Sequence, residues 1–598
     1  MLYAVLAKTY EALEATSKRL EMTDILVGLF KQTPADILDK VIFLTQGKLH
    51  PSWLGQAVIG IAEKSAIKAV AQALNNNEQT VNQAVKEYGD LGSAFEKLLK
   101  KKSSTSLDRF FNEKLTQSRR FSSPVLVVEV YSELDAIAKL EGPGSADTKV
   151  NRLARLLSEV TKNEAKWILR TVIGKLRFGV QDMTIIDALA IAFTGNKNKK
   201  QIIERGYNIH PNLGEIAKIL ASNGIDAIER KNIEVLTPVR MMLAQRLSAV
   251  EQVLDKLGGK CACEYKYDGE RIQAHKSDSI IKLFSRNLEN LSDQYPDVCQ
   301  LIQGIQIEKC VLEGECVAID HKTGNLRPFQ ELMHRRRKYD IDEAIQKYPV
   351  CLFLFDILKF GEKDLISTPY LERRRILENL VNETDRLKLA TSIISDDNSE
   401  IESFFEDAIQ SGCEGIIAKS IQKESGYQAG ARGWLWIKLK QSYQSKMVDS
   451  IDVVILGGYF GRGRRAQTYG AVLCGVLNKD QGTFQTICKL GSGFTDEHLS
   501  DLIQKFQRVE RETKPPLVNS LIKPEPDIWF EPNIVAEILG DEITISSVHS
   551  AGFGRIKPDS GLAIRFPRFI RWRADKSIDE ITTADEIIDM YKQQTKQI

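Results

Sequence analysis

Residues 263–275 read CEYKYDGERIQAH, a segment in which a lysine stands between two tyrosines and is followed at once by Asp-Gly-Glu-Arg. If Cys263 to Asp268 form a strand, alternation of side chains places Glu264, Lys266 and Asp268 on one face. An amine between two carboxyl groups on one wall is a candidate for chemistry. The alternative for a single lysine is an edge-strand residue that discourages aggregation or joins a surface salt bridge.

The size and composition of the chain describe an ordinary multidomain globular protein. Its 598 residues exceed what one core accommodates, and the rule of roughly 100 to 200 residues per domain predicts three or four domains. Lysine and arginine number 82 against 80 aspartates and glutamates, so net charge identifies no partner. Basic clusters at 100–102, 197–200 and 334–338 can each face polyphosphate or simply form solvated surface.

Neither a membrane segment nor a metal-binding cysteine pattern is found in the sequence. No apolar run approaches the roughly 20 residues needed to cross a bilayer, and the amino-terminal MLYAVLAKTYEALEATSKRL reads as an amphipathic helix without signal-peptide organisation. We therefore predict a cytoplasmic protein with no membrane partner. The nine cysteines form no CxxC pair, so buried reduced thiols are expected in place of disulfides or structural zinc.

Hydrophobic periodicity divides the chain into three regions. From residue 1 to about 225 apolar residues recur three and four apart, which predicts an all-α region. Short β-rich runs and interspersed helices from about 240 to 440 predict an α+β domain. After Tyr443, β-rich runs separated by glycine-rich turns predict a small β-barrel of the OB-fold kind. The predicted boundaries are 1–232, 233–441 and 442–598.

Phosphate handling must rely on side chains, because the chain has neither a P-loop nor a Rossmann fingerprint. In WLWIKLK, strand alternation places Trp434, Trp436, Lys438 and Lys440 on one face. Paired cations stabilise a phosphoryl group in transfer, and a neighbouring cation is expected to lower the pKa of a nucleophilic lysine. The alternative is an amphipathic strand with one wet face.

Carboxylates on separate segments offer oxygen ligands for a divalent ion. Glu313 and Glu315 share a face in LEGECVAID, and Glu414 opens EGIIAK. The alternative is that each of these carboxylates is simply solvent-exposed on its own strand. Phe355 in CLFLFDIL is a candidate to stack on a base, although an aromatic residue in so apolar a strand also suits a core.

Taken in order, these segments resemble the motif series of ATP-dependent DNA ligases, and most closely the replicative ligases of archaea and eukaryotes. The series runs KYDGER, LFSRN, LEGE, the Phe355 strand, EGIIAK, WIKLK and RFPR. The flanks also match: KWILRTVIGKLRFGVQD (166–182) resembles the family's helical DNA-binding domain, and YFGRGRRAQTYGAVLCGV with CKLGSGFTDEHL resembles its carboxy-terminal barrel. The long eukaryotic amino-terminal tail is missing, which favours an archaeal ligase.

The resemblance implies that Lys266 attacks the α-phosphate of ATP and holds AMP as a phosphoramidate. It implies nucleotide contacts by Glu264 (adenine amino group), Arg271 and Glu315 (ribose), Arg286 (phosphate), Phe355 (base), Arg432, and Lys438 and Lys440 (α-phosphate). Glu315 and Glu414 are the implied neighbours of Mg²⁺, for which Mn²⁺ is a possible substitute. Arg565 and Arg568 resemble the motif that closes over the triphosphate.

The same resemblance implies a monomer that seals nicked duplex DNA in replication, repair, recombination and cell division. An RNA ligase or capping enzyme shares the lysine motif but does not carry the helical domain. A non-catalytic DNA-binding scaffold is the other alternative, against which the full set of charged groups argues. In SSTSLDRFF (103–111) the spacing of Leu107, Phe110 and Phe111 suits a sliding-clamp box, or equally a helix start packed in its own domain.

Overall fold

The structure is a computed structural model that describes residues 1–54, 59–102, 124–247, 249–320, 324–327, 329–335, 341–440, 450–461, 468–494 and 496–596. Spatial proximity groups Met1–Asn76 with Lys102–Gln441 in one compact unit. A second unit contains Asn77–Lys101 and Ser442–Ile598.

The amino-terminal part of the described chain is helical, as predicted. Its α-helices are Tyr3–Glu14, Arg19–Gln32, Leu38–Thr45, Glu63–Ala73, Glu78–Tyr88, Leu91–Lys102, Val127–Ala138, Ser145–Glu159, Lys162–Val172, Asp182–Thr194, Lys200–Ile209, Leu213–Asn223 and Ile225–Glu229, with 3-10 turns at Ala35–Ile37 and Ser52–Leu54. Helix Lys162–Val172 shows how the sequence sets these elements. Thr161 and Glu164 form a capping box at its start, and Trp167 is fully buried on its apolar face.

The middle region contains eleven described strands. They are β1 (Leu243–Arg246), β2 (Cys261–Lys266), β3 (Glu270–Ser277), β4 (Ile280–Ser285), β5 (Lys309–Ala318), β6 (Val350–Phe360), β7 (Lys363–Asp364), β8 (Leu387–Leu389), β9 (Ser392–Ser395), β10 (Gly415–Ser420) and β11 (Arg432–Lys440). One sheet has the order β1-β11-β10-β2-β9, and the other has the order β4-β3-β5-β6-β7 with β8 beside β6. Helices of this region are Glu251–Leu257, Pro296–Gln303, Phe329–Leu332, Ile341–Lys347, Tyr370–Leu380 and Asn398–Gln410, with a 3-10 turn at Met333–Arg335.

Alternation along β2 gives the first sheet two chemically different faces. Cys261 and Cys263 are buried in a hydrophobic cluster that also holds Ile416, Ile437 and Phe353. Glu264 and Lys266 lie one and three positions after Cys263, so they point to the opposite side. The strand ends at Lys266, two residues before the predicted Asp268, but the predicted division of faces is confirmed.

Alternation in β11 is broken, which corrects one prediction. Its register with β1 shifts between Gly433 and Ile437. Leu435 consequently packs in the same cluster as Trp436, whereas Trp434 is 45% exposed and lies under the Lys256 ammonium. The prediction that Trp434 shares a face with Trp436, Lys438 and Lys440 is therefore wrong.

The carboxy-terminal part forms a curled sheet. Its strands are β12 (Ile451–Phe460), β13 (Tyr469–Asn478), β14 (Thr483–Leu490), β15 (Glu510–Arg511), β16 (Val518–Asn519), β17 (Ile528–Phe530), β18 (Val535–Leu539), β19 (Glu542–Ser546), β20 (Gly561–Arg565) and β21 (Arg568–Trp572). The main sheet has the order β15-β17-β12-β13-β14-β16, β18 joins β12 to β21, and β19 pairs with β20. Helices Asp496–Phe506 and Ala584–Lys596 contribute Phe506 and Ile587 to its core.

Candidate active site

A cleft of about 570 Å³ is formed by residues from both sheets of the middle region. The ten residues predicted there from the sequence all line it: Glu264, Lys266, Arg271, Arg286, Glu315, Phe355, Glu414, Arg432, Lys438 and Lys440. Strand order explains why residues of β2, β10 and β11 meet in this cleft, because β10 lies between β2 and β11.

Gly415 brings the charged ends of three strands together. It pairs with Lys266 on one side and Lys440 on the other, so the preceding Glu414 lies beside both lysines. Its φ is +146°, and a Cβ at this position would lie 2.1 Å from the Leu439 carbonyl oxygen. Only glycine fits so close an approach of β10 to β11.

Glu414 forms ion pairs with two amines. Its Oε2 lies 2.5 Å from Lys266 Nζ and 2.6 Å from Lys440 Nζ. Burial raises the pKa of the Glu414 carboxyl, but the two ammonium groups outweigh burial and hold that pKa below its ordinary value. Glu414 is therefore a carboxylate that joins the two lysines.

The pKa of Lys266 departs from its ordinary value in the direction opposite to that predicted. Burial lowers the pKa of this amine, but Glu414 and Glu315 outweigh burial and raise it above the ordinary value. The depressed pKa belongs instead to Lys438, which burial and the neighbouring Lys440 and Arg432 bring to about 8. The prediction considered the cations of β11 and did not include the effect of Glu414 and Glu315 on the pKa of Lys266.

Glu264 lies two residues before Lys266 on the same face of β2 and is 2% exposed. Lys419 Nζ lies 2.6 Å from its Oε2, and the Tyr370 hydroxyl donates to its Oε1 at 2.5 Å. Phe355 and Trp436 line the cleft nearby, with their rings edge to face and their centroids 6.2 Å apart. This end of the cleft thus combines a buried acceptor with aromatic surface, which suits a nucleobase.

Arg271 is held by Glu313. Its Nη2 donates to Glu313 Oε2 at 2.7 Å, and its guanidinium lies 5.3 Å from the Phe355 ring centroid. Glu313 is fully buried and also accepts from the Tyr427 hydroxyl at 2.9 Å. Of the two glutamates predicted to share a face, Glu315 therefore lines the cleft, while Glu313 positions Arg271.

Arg286 and Arg432 lie at the rim of the cleft, where both are exposed. Arg286 follows the end of β4, and Arg432 begins β11. Both contribute positive charge that lowers the pKa of Lys438. The rim is thus suited to an anionic ligand.

Comparison with known proteins covers nearly the whole chain. Family models described as "DNA ligase N terminus", "ATP dependent DNA ligase domain" and "ATP dependent DNA ligase C terminal region" match residues 2–190, 241–440 and 465–576. The chain is 48% identical to DNA ligase 2 of Thermofilum pendens over 596 residues, which is 99% of this chain and 98% of that protein. It is 46% identical to the DNA ligase of Saccharolobus solfataricus over 100% of this chain and 98% of the relative.

The chain belongs to the ATP-dependent DNA ligase family. It is an enzyme that joins DNA with ATP, and the predicted family is confirmed. The solved structure Pmar-Lig_PreS3 shares the fold, with a TM-score of 0.54 and 17% identity over 95% of this chain and 99% of that one.

In the second unit of the ligase, the two predicted closure arginines flank one turn. Arg565 ends β20 and Arg568 begins β21. Arg565 Nη1 lies 2.9 Å from Glu542 Oε1, and Arg568 pairs with Asp541. Their side chains are 51% and 57% exposed, so these pairs add little stability and leave both guanidiniums accessible.

The carboxylates of the ligase cleft fit a divalent ion that also binds substrate phosphate. Within the described residues, no group of three or more His, Cys, Asp or Glu side chains is arranged to hold a metal. Burial raises the pKa of the Glu315 carboxyl to about 7, although Lys266 and Arg271 act in the other direction. The cations around Glu315 therefore stabilise its charged form incompletely, and a divalent ion would complete that stabilisation.

Several residues that line the ligase cleft or hold its lining residues in place were not predicted from the sequence. Lys419 follows Ile417 by two positions in EGIIAK, so strand alternation alone points it toward the cleft. Tyr370 and Tyr427 reach Glu264 and Glu313 from segments more than a hundred residues away. No local pattern in the sequence indicates these two contacts.

Two further predictions concern the clamp box and membrane-spanning segments. The clamp-box residues Leu107, Phe110 and Phe111 lie outside the described residues. In the portion that is described, no helix is long and apolar enough to cross a membrane.

Proposed function

We propose that the ligase seals nicks in duplex DNA through three successive displacements in the cleft, with Lys266 as the residue that carries AMP. The observation that carries this proposal is the position of the Lys266 amine. It lines the cleft beside Lys438, Lys440 and Glu414, and its side chain is 22% exposed. An amine among cations that stabilise phosphate charge suits attack on a phosphorus atom.

In the first step the Lys266 nitrogen attacks the α-phosphorus of ATP. An N–P bond forms, the P–O bond to the β-phosphate breaks, and pyrophosphate leaves. The nitrogen loses two protons between its ammonium form and the phosphoramidate. Lys438 and Lys440 stabilise charge on the α-phosphate, and Arg286 and Arg432 act on phosphate and nucleotide from the rim.

The base and sugar of the nucleotide extend toward the Glu264 end of the cleft. Side chains two apart on a strand lie about 7 Å from each other, so one nucleotide can touch both Glu264 and Lys266. Glu264 accepts from the adenine amino group, Phe355 packs on the base, and Arg271 and Glu315 lie near the ribose. The buried acceptor and aromatic surface at this end support these roles.

Glu315 and Glu414 would hold Mg²⁺, or Mn²⁺ in its place. The ion would supply charge neutralisation to the phosphates. These two glutamates would hold the ion at the Lys266 end of the cleft. The ammonium groups of Lys438 and Lys440 act on the nucleotide directly.

In the second step the nick's 5′-phosphate displaces Lys266 from AMP, so the N–P bond breaks and a pyrophosphate link forms. In the third step the 3′-hydroxyl attacks that 5′-phosphate, loses its proton and releases AMP. We infer that the ligase carries out all three steps as a monomer.

We assign these tasks to three domains with boundaries 1–232, 233–441 and 442–598. The helical domain grips backbone phosphates of DNA, because a nick has no fixed sequence. The carboxy-terminal domain has the OB-fold, and its Arg565 and Arg568 close over the triphosphate before the domain swings to the DNA. Phe110 and Phe111, with Leu107, bind the sliding clamp.

A chase experiment tests the order of steps. The protein is incubated with α-labelled ATP, freed of nucleotide, and mixed with nicked duplex DNA and Mg²⁺ without ATP. We expect the label to pass from protein to DNA-adenylate and then to free AMP as the nick closes. Label that stays on the protein while nicks close would contradict the proposal. Intact duplex serves as the control acceptor.

A further inference from the structure

Lys419 is a buried amine at the base end of the cleft, and burial lowers its pKa, although the neighbouring Glu264 acts in the other direction. Its side chain is 1% exposed, and its Nζ lies 2.6 Å from Glu264 Oε2 and 3.3 Å from the Phe355 carbonyl oxygen. The ring centroids of Trp436, Tyr370 and Phe355 lie 4.5, 4.7 and 4.9 Å from the same nitrogen. A buried ammonium is costly, so its position calls for a specific task.

The core near Lys419 has its own ion pair. Arg373 holds Asp356 with two hydrogen bonds of 2.7 and 2.9 Å, and both residues are fully buried. The bonds to Asp356 tie the helix Tyr370–Leu380 to β6, and Arg373 also donates to the Thr368 and Ser425 carbonyls. Lys419 is therefore not required to join these elements. Its direct ionic partner is Glu264.

The contact between Lys419 and Glu264 determines whether Glu264 can donate a hydrogen bond to a ligand or only accept one. An ionised carboxylate only accepts hydrogen bonds, whereas a protonated one also donates. The Lys419 amine contacts one oxygen of the Glu264 carboxyl group, and the Tyr370 hydroxyl donates to the other. Adenine presents an amino group at position 6, whereas guanine and hypoxanthine present a carbonyl oxygen there. A carboxylate that only accepts hydrogen bonds therefore favours the amino group of adenine and repels the carbonyl oxygen of guanine or hypoxanthine.

We propose that Lys419 is a positioning residue that determines which purine nucleotide the ligase accepts, by holding Glu264 as an acceptor-only carboxylate aimed at position 6 of the base. This inference rests on the proposed role of Glu264 in reading adenine. Lys419 itself touches neither the base nor the reacting phosphorus in this account.

Loss of the ammonium should change the base preference as well as the rate. Among the described residues, the cation that stays within ion-pairing distance of Glu264 in Lys419→Met is Arg374, whose Nη1 lies 3.6 Å from Glu264 Oε1. Taking up a proton is the least costly way for Glu264 to remain buried. The protonated group then donates to a carbonyl oxygen, so nucleotides with oxygen at position 6 become acceptable.

The experiment measures the initial rate of adduct formation with ATP and with ITP, whose base differs from adenine at position 6 and in the protonation of N1. In Lys419→Met we expect the ITP-to-ATP rate ratio to rise about tenfold or more. Lys276→Met is the matched control. It removes another buried ammonium of the same domain, which donates to the Gln303 and Ile305 carbonyls, and should leave the ratio unchanged.

The pH dependence distinguishes this role from a structural one. The ratio in Lys419→Met should rise as pH falls from 8 to 6. Other groups that face Glu264 and Lys419 are Tyr370, Arg374 and Asp356. The pKa values of Tyr370 and Arg374 are raised, and that of Asp356 is lowered, so none of them titrates in this range. Equal losses with ATP and ITP at every pH would overturn the proposal.

If Lys419→Met alone does not fold, the same substitution is tested in a protein that also carries Glu264→Gln. The amide leaves no buried carboxylate unpaired and offers both a donor and an acceptor, so Glu264→Gln should itself raise the ITP-to-ATP ratio. Adding Lys419→Met should then change the ratio no further, and any additional change would overturn the proposal. Wild-type protein that forms no adduct with ATP would instead refute the proposed function.

Discussion

Glu414 Oε2 lies 2.5 Å from Lys266 Nζ, so a carboxylate holds the amine that we propose as the nucleophile. The same oxygen lies 2.6 Å from Lys440 Nζ. Because Glu414 and Glu315 raise the pKa of Lys266, the nucleotide-free ligase keeps this residue as an ammonium ion. An ammonium ion cannot attack, but it attracts the phosphates of ATP. For Lys266 to act as the proposed nucleophile, Glu414 would have to release the amine, and the ammonium ion would have to lose a proton.

ATP affinity should depend on the charge of Lys438. Its pKa is lowered to about 8, so the free protein loses this positive charge as pH rises through 8. We expect the Kd for ATP, measured by calorimetry without metal, to rise about tenfold more between pH 7 and pH 9 in wild type than in Lys438→Arg. If the Kd for ATP rose with pH equally in wild type and Lys438→Arg, Lys438 would not be the group whose charge controls ATP affinity.

Arg568→Ala should separate the first chemical step from the last. The exposed guanidinium pairs only weakly with Asp541 and is proposed to close over the triphosphate. We expect adduct formation from ATP to fall at least about a hundredfold, while sealing of a pre-adenylated nick, which contains no triphosphate, changes little. Asp541→Asn is the control, since it removes the partner and keeps the arginine. Comparable losses in both assays would show that Arg568 acts on DNA or on folding.

His275 should make the fold sensitive to acid. It is fully buried, accepts from the Leu236 amide at 3.1 Å, and has its pKa lowered to about 3 by burial. The unfolded chain takes up a proton near pH 6.5, so stability falls as pH drops from 6.5 toward 3. At pH 5 the loss is about 2 kcal/mol. In His275→Asn, calorimetry should show a smaller decrease in the first unfolding temperature between pH 7 and pH 5. An unchanged decrease would argue against a neutral His275.

The clamp-box prediction is tested by Phe110→Ala combined with Phe111→Ala. If these side chains bind the sliding clamp, the variant should lose stimulation of nick joining by the clamp and keep its clamp-free rate. If they pack inside their own domain, both rates and the melting temperature should fall together.

Local patterns in the sequence were sufficient to predict the direction of a side chain where that direction depends on one strand alone. Alternation in β2 depends only on neighbouring residues, so it placed Glu264 and Lys266 on the face opposite Cys263. The motif order then identified ten residues that the strand order brings to one cleft. Assigning them to one site depended on the family resemblance, since each motif alone also suits a surface strand.

What could not be predicted depends on contacts between distant segments. The shift in β11 arises from its pairing with β1, almost two hundred residues earlier. The direction of the Lys266 pKa depends on Glu414, which only the β2–β10 register brings within 2.5 Å. The Tyr370 hydroxyl reaches Glu264 because the helix Tyr370–Leu380 starts beside the cleft. None of these relationships has a signature within a single segment.

The site of covalent attachment tests the central claim most directly. Wild-type ligase is incubated with α-labelled ATP and Mg²⁺, and the acid-labile adduct is located by peptide mapping, with Lys266→Ala and Lys438→Ala alongside. We predict AMP on Lys266 in wild type, less AMP on the same residue in Lys438→Ala, and none in Lys266→Ala, which should still seal a pre-adenylated nick at a reduced rate. AMP on any other residue of the wild-type protein would contradict the account.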